Sequence, residues 1–162
     1  MANHFGDQEH VFDNRKIRIA AAPTSINLGL ISAPSGGGGE GGTNATEIMV
    51  AASDETTDLT TGLAKVTFRM PHAMTLTGVR ANVNTAPTDA TINVDINQNG
   101  TSILSTVITI DATEKTSTTA AAQAVISTAS LTDDAEITID IDQVGSTIAG
   151  KGLKVALIGV RA

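Results

Sequence analysis

From Ala45 to the C-terminus, apolar side chains recur at every second position almost throughout, and this spacing constrains the fold more than any other feature of the chain. In Lys65-Val66-Thr67-Phe68-Arg69-Met70, the residues Val66, Phe68 and Met70 point one way and Lys65, Thr67 and Arg69 the other, as in a strand with one buried face. Ile92, Val94 and Ile96 alternate with Asn93, Asp95 and Asn97, and Ile137, Ile139 and Ile141 alternate with Glu136, Thr138, Asp140 and Asp142. The composition agrees. Thr (24), Ile (16) and Val (11) make 51 of 162 residues β-branched, and such side chains suit a pleated, half-buried surface.

Further strands are expected on either side of these runs. Glu47 to Ala52 forms a first short one, and Pro71-His72 ends the run from Lys65. The apolar parity shifts from Met74 and Leu76 to Val79, Ala81 and Val83, which predicts a bulge near Thr77-Gly78. Thr85-Ala86-Pro87-Thr88-Asp89 reads as a turn. Asn99-Gly100 joins the run ending at Asn97 to Leu104, Thr106, Ile108 and Ile110, the strongest short-range signal for a hairpin. A Thr/Ser/Ala-rich loop from Asp111 to Ala121 leads into a strand over Ala122 to Ser127, for which a helical turn or two around Ala120–Ala124 is the alternative. Leu153 to Val160 closes the domain. About eight short strands with turn chemistry between them predict an all-β, eight-stranded antiparallel sandwich, jelly-roll-like because the Cys-Trp-Cys core of an immunoglobulin sandwich is missing.

The chain divides at a glycine block. Ser35-Gly36-Gly37-Gly38-Gly39-Glu40-Gly41-Gly42 holds six of the 15 Gly, and such a stretch behaves as a flexible coil. A phosphate-binding loop would need a preceding strand and a following Lys-Ser or Lys-Thr; here Pro34 precedes the block and Thr43-Asn44-Ala45-Thr46 follows it. The expected organisation is therefore an N-terminal attachment arm over 1–35, a Gly-rich linker over 36–44, and a β-sandwich domain over 45–162. The arm is neutral, with Asp7, Glu9 and Asp13 against Arg15, Lys16 and Arg18, whereas residues 43–162 carry 13 acids and 7 bases. It also holds two of the three Phe, and Lys16-Ile17-Arg18-Ile19 reads as one short strand. An arm this short buries little of its own surface, so Phe5, Phe12, Ile17 and Ile19 are candidates for docking on another molecule. An unattached terminus is the alternative.

Several function classes lose support. A formal charge of −7 and a pI near 4.7 repel phosphate backbones, and the absence of Trp and Tyr removes the faces on which bases and sugars stack. No nucleic-acid partner is expected. The apolar runs are too short to span a bilayer, and the basic residues before Ile19 to Ala22 are preceded by acids and followed by Pro23, unlike a secretory signal. With no Cys there is no disulfide, thiolate metal site or thiol nucleophile. Asp95-Ile96-Asn97-Gln98-Asn99-Gly100 matches the opening of a calcium loop, but its twelfth position is Thr106 where a bidentate Glu is needed. Glu136, Asp140 and Asp142 share one strand face and read as a solvated surface. His4, His10 and His72 lack the spacing of a ligand set, and no G-x-S-x-G elbow is present. Asn44-Ala45-Thr46 and Asn99-Gly100-Thr101 fit the glycosylation pattern but read as turns. No catalytic, cofactor or metal site is expected, so the chain is not read as an enzyme.

From about Ala45 onward the chain resembles a β-rich module of tailed-bacteriophage virion structural proteins, of the head decoration, head fibre or tail fibre type. The resemblance is carried by Val66-Thr67-Phe68-Arg69-Met70-Pro71, Leu76-Thr77-Gly78-Val79-Arg80-Ala81, Thr101-Ser102-Ile103-Leu104-Ser105-Thr106, Thr113-Glu114-Lys115-Thr116-Ser117-Thr118 and the run from Asp133 to Ser146. It does not extend to the arm. It implies a capsid decoration, cement or head-fibre protein, made in the host cytoplasm and carried on the virion, docked on the major capsid protein or another virion protein through the arm. A homotrimer is expected at local threefold positions. The alternative is a tail-fibre or receptor-binding tip whose Thr85–Asp89 and Asp111–Ala121 loops contact a host surface receptor.

Overall fold

The computed structural model describes residues 8–12, 15–19 and 44–162. They belong to two compact units, Met1–Glu40 and Gly41–Ala162. In the first, β1 (Gln8–Phe12) and β2 (Arg15–Ile19) form an antiparallel ribbon in which Phe12 pairs with Arg15, His10 with Ile17 and Gln8 with Ile19. The strand expected at Lys16–Ile19 is present, and β1 is a partner the apolar pattern does not announce.

The second unit is all-β and antiparallel, with eleven strand segments and no helix among the described residues. They are β3 (Ala45–Ala51), β4 (Gly62–Arg69), β5 (Met74–Asn82), β6 (Ile92–Gln98), β7 (Thr101–Ser102), β8 (Leu104–Thr106), β9 (Ile108–Ile110), β10 (Val125–Ile126), β11 (Ser130–Leu131), β12 (Glu136–Gln143) and β13 (Lys154–Arg161). One sheet has the order β11-β5-β13-β3; the other has β4-β12-β6, with β7 and β9 both on the far side of β6. Their inward faces share one core, to which β5 brings Met74 and Leu76, β13 brings Val155 and Leu157, β6 brings Ile92, Val94 and Ile96, and β12 brings Ile137, Ile139 and Ile141. The isoleucines at every second position are almost wholly removed from water, each contributing roughly 1.5–3 kcal/mol by burial. The body is thus sandwich-like.

Two local devices follow the sequence closely. Ile158 pairs with Gly78 and Gly159 with Leu76, so Thr77 is the extra residue of a bulge in β5, where the apolar parity shifts. At the β6–β7 hairpin, Gln98 pairs with Thr101, and Asn99 and Gly100 have φ of 50° and 79°, the left-handed values that a two-residue turn needs and that Asn and Gly tolerate. Asn99 also donates its N–H to the Glu136 carbonyl at 2.8 Å, and its side-chain oxygen accepts the Glu136 N–H at 3.0 Å. Asp95 to Gly100 is therefore strand and turn.

Elsewhere the strands are broken where the alternation suggests continuity. The run from Thr101 to Ile110 is three pieces, because the Ser102 hydroxyl accepts the Leu104 N–H at 3.1 Å and Ile103 and Leu104 are both buried. The strand expected over Ala122 to Ser127 is reduced to Val125–Ile126, with a second piece at Ser130–Leu131. Gln123 folds back to donate to the Ala120 carbonyl at 2.6 Å, and the helical alternative around Ala120–Ala124 is not taken.

Candidate interaction surfaces

The outer face of the β4-β12-β6 sheet carries the acidic residues. Antiparallel register sets Asp140 opposite Asp95, Thr138 opposite Asn97, and Glu136 opposite Arg69. Arg69 reaches Glu136 at 3.6 Å across a largely exposed surface, a contact worth little in water but a cationic partner that no local sequence pattern supplies. The Asp140 carboxylate accepts the Ala64 N–H at 2.6 Å and the Asn97 amide at 3.0 Å. Asp95 accepts the Ser102 hydroxyl at 2.7 Å and the Ile96 N–H at 2.8 Å. Burial, then the charges of Asp95 and Asp140, push the Asp142 carboxyl above its ordinary value. Asp140 and Asp95 are thus engaged by protein donors, and among the described residues no group of three His, Cys, Asp or Glu has the geometry to hold a metal ion.

The loops expected to be free for a receptor are tied to the sheets. Val83 donates to the Lys115 carbonyl and Ser117 to the Ala81 carbonyl, both at 2.9 Å, so the Asp111–Ala121 loop extends the ladder along β5. Ala121 donates its N–H to Asp111 at 2.8 Å. In the turn at Thr85–Asp89, Thr85 bridges Lys151, Thr88 donates to the Ile148 carbonyl at 3.0 Å and the Pro87 carbonyl accepts from Thr113 at 2.8 Å. Side chains such as Thr118 and Thr119 remain exposed, on backbone that is already committed.

The outer face of the β11-β5-β13-β3 sheet was not singled out by the sequence pattern. Register sets Met49, Ala156 and Arg80 side by side, with Glu47, Ile158 and Gly78 in the next row. Met49 is 59% exposed. The signal is visible afterwards in Ile48-Met49-Val50, where both parities are apolar: Ile48 and Val50 pack on the core and Met49 faces out.

Of the four docking candidates, Phe5 lies outside the described residues. Phe12, Ile17 and Ile19 occupy register positions on one face of the β1–β2 ribbon, together with Gln8, His10 and Arg15. Glu9, Val11, Lys16 and Arg18 occupy the other. Known protein families, curated proteins and solved structures contain no match to this chain.

Proposed function

We propose that this chain is a structural protein of a tailed-bacteriophage virion, a capsid decoration, cement or head-fibre protein. It docks on the major capsid protein, or another virion protein, through the arm at 1–35 and projects the β domain at 45–162 outward on the 36–44 linker. The observation that carries this reading is the set of blocks resembling the phage module: they fall on β4, β5, β7–β8, the ladder-forming Asp111–Ala121 loop and β12, and so span both sheets. Charge supports it, since a −6 balance over residues 43–162 keeps a projecting domain soluble. So does the placement of Phe12, Ile17 and Ile19 at register positions on one ribbon face.

Strand order supports the finer fold within this reading. Counted as one interrupted strand, β7–β9 joins the sheet of β4, β12 and β6; counted likewise, β10–β11 joins the sheet of β3, β13 and β5. Eight strands then fall four to a sheet, in the double Greek-key order of a jelly roll. A homotrimer on local threefold positions suits small outward residues such as Thr, Ala and Ser. No nucleic acid, membrane or cofactor enters this function, and catalysis plays no part in it. Gold-labelled antibody to the chain tests the reading on intact particles. Label over the head is expected; label confined to the tail would move the protein to the tail-fibre or receptor-binding class, and particles without label would refute a virion role.

A further inference from the structure

The open edge of the β11-β5-β13-β3 sheet carries an inference about how copies of the chain meet. The Ala52 N–H donates to the Leu153 carbonyl at 2.7 Å, and the Asn44 carbonyl accepts the Arg161 N–H at 2.8 Å. The β3–β13 register between them is unbroken. Antiparallel bonding alternates along a strand, so the even-numbered residues of β3 bond to β13. Ala45, Glu47, Met49 and Ala51 turn their N–H and C=O groups to the outer edge, where no described strand meets them.

The other sheet boundaries are guarded. At β4 the pairing with β12 is irregular, Ala64 has φ of 48°, and its N–H is taken by Asp140. On the far side the two sheets are stitched together: β10 pairs with β8, Ser127 donates to Ile103 at 2.9 Å and Leu76 to Ala129 at 2.8 Å. By contrast β3 is regular over seven residues, with no Pro, Gly or Lys to blunt it.

Its sequence reads alike from both ends. About Ile48, Ala45 is matched by Ala51, Thr46 by the near-isosteric Val50, and Glu47 by the similarly long Met49. An isologous antiparallel contact sets each residue against its mirror position in the other copy, so about Ile48 the pairs are Ala45 with Ala51, Thr46 with Val50 and Glu47 with Met49, and no like charges are opposed. In the register centred on Ile48, all four outward-facing residues of each copy form hydrogen-bonded pairs, and Glu47 faces Met49. Moving the centre to Glu47 sets two carboxylates against each other and leaves Ala51 unpaired.

We propose that β3 is the edge through which two copies of this chain pair, antiparallel and two-fold about Ile48. An isologous edge joins two copies only, so this contact is separate from a threefold arrangement; it would link neighbouring assemblies or form a dimer.

The absence of Cys makes the register readable in the full-length chain. Glu47→Cys protein and isotopically heavy Met49→Cys protein are mixed and oxidised. A hydrogen-bonded pair has Cα atoms about 5.5 Å apart, within disulfide range. The mixed 47–49 crosslink should exceed the 47–47 and 49–49 products several-fold. A yield no higher than that of a Thr119→Cys control, or a 47–47 product in equal amount, overturns the proposal. Met49→Pro removes an outward N–H and no β13 bond, so it should abolish the concentration-dependent increase in mass while keeping the thermal transition that dilute, monomeric wild type shows. Association unchanged by Met49→Pro overturns it, as does a wild-type chain that stays monomeric, or monomer whose Glu47 and Met49 amides exchange slowly because another segment of the chain covers β3.

Discussion

Ser117 and Ala81 bond to each other twice: the Ala81 N–H donates to the Ser117 hydroxyl at 2.9 Å and the Ser117 N–H donates to the Ala81 carbonyl at 2.9 Å. Ser117 is the buried polar residue of the described body, and its hydroxyl lets a loop residue replace a strand residue beside β5. Ser117→Ala leaves the Ala81 N–H buried without a partner, which costs roughly 1–3 kcal/mol. Urea unfolding should show that loss, with faster amide exchange at Ala81. Thr119→Ala, on the exposed side of the same loop, should stay within about 0.5 kcal/mol of wild type.

Two glycines on facing strands should respond oppositely to alanine. A Cβ on Gly159 would lie 2.2 Å from the Thr75 carbonyl oxygen, which cannot move without parting β13 from β5. A Cβ on Gly78 would meet nothing closer than Ile158, at 4.0 Å. Gly159→Ala should therefore cost about 3 kcal/mol or more. Gly78→Ala should be neutral or stabilising by up to about 1 kcal/mol, since glycine in a strand carries excess unfolded-state entropy. Thermal unfolding of the two variants compares them directly.

The acidic face gives stability a pH dependence of defined sign. Burial and the charges of Asp95 and Asp140 raise the Asp142 carboxyl above its ordinary 3.8, so folding favours its protonated form. The stability tied to that proton is present below pH 3.8 and is lost as pH rises through the raised value. Asp142→Asn should thus stabilise the protein at pH 7 by a few tenths of a kcal/mol, the size expected of a largely solvated repulsion, and the gain should vanish below pH 3.8. Asp54 has the opposite sign. Its carboxylate accepts the N–H groups of Thr56 and Thr57 and is held well below the usual range, so its contribution is present above pH 3.8 and fades as pH falls. Unfolding measured at pH 3 and pH 7 separates the two.

How far the fold was legible depended on whether a residue's role is set by its neighbours in sequence or across a sheet. Ile92-Asn93-Val94 and Ile137-Thr138-Ile139 declare a strand locally, because one buried face imposes period two. Thr77 was legible for the same reason, since a bulge is a change of parity between Leu76 and Val79. The break after Ser102 was not, because a hydroxyl that takes the Leu104 N–H leaves the apolar pattern intact. Nor was β1, where Gln8-Glu9-His10 owes its strand to pairing with β2. On the surfaces, the shared outward face of Glu136, Asp140 and Asp142 could be read from spacing. The meeting of Asp140 with Asp95 and of Glu136 with Arg69 depends on register between distant strands.

Attachment through the arm is measured directly by co-sedimentation, after re-addition of the purified chain to particles lacking it. Wild-type chain should pellet with the particles. A Phe12→Ser/Ile17→Ser/Ile19→Ser variant, altered at the three apolar positions of one ribbon face, should remain in the supernatant while its β domain keeps the wild-type thermal transition. A variant that pellets as fully as wild type, or a wild-type chain that stays in the supernatant, would contradict attachment through the arm.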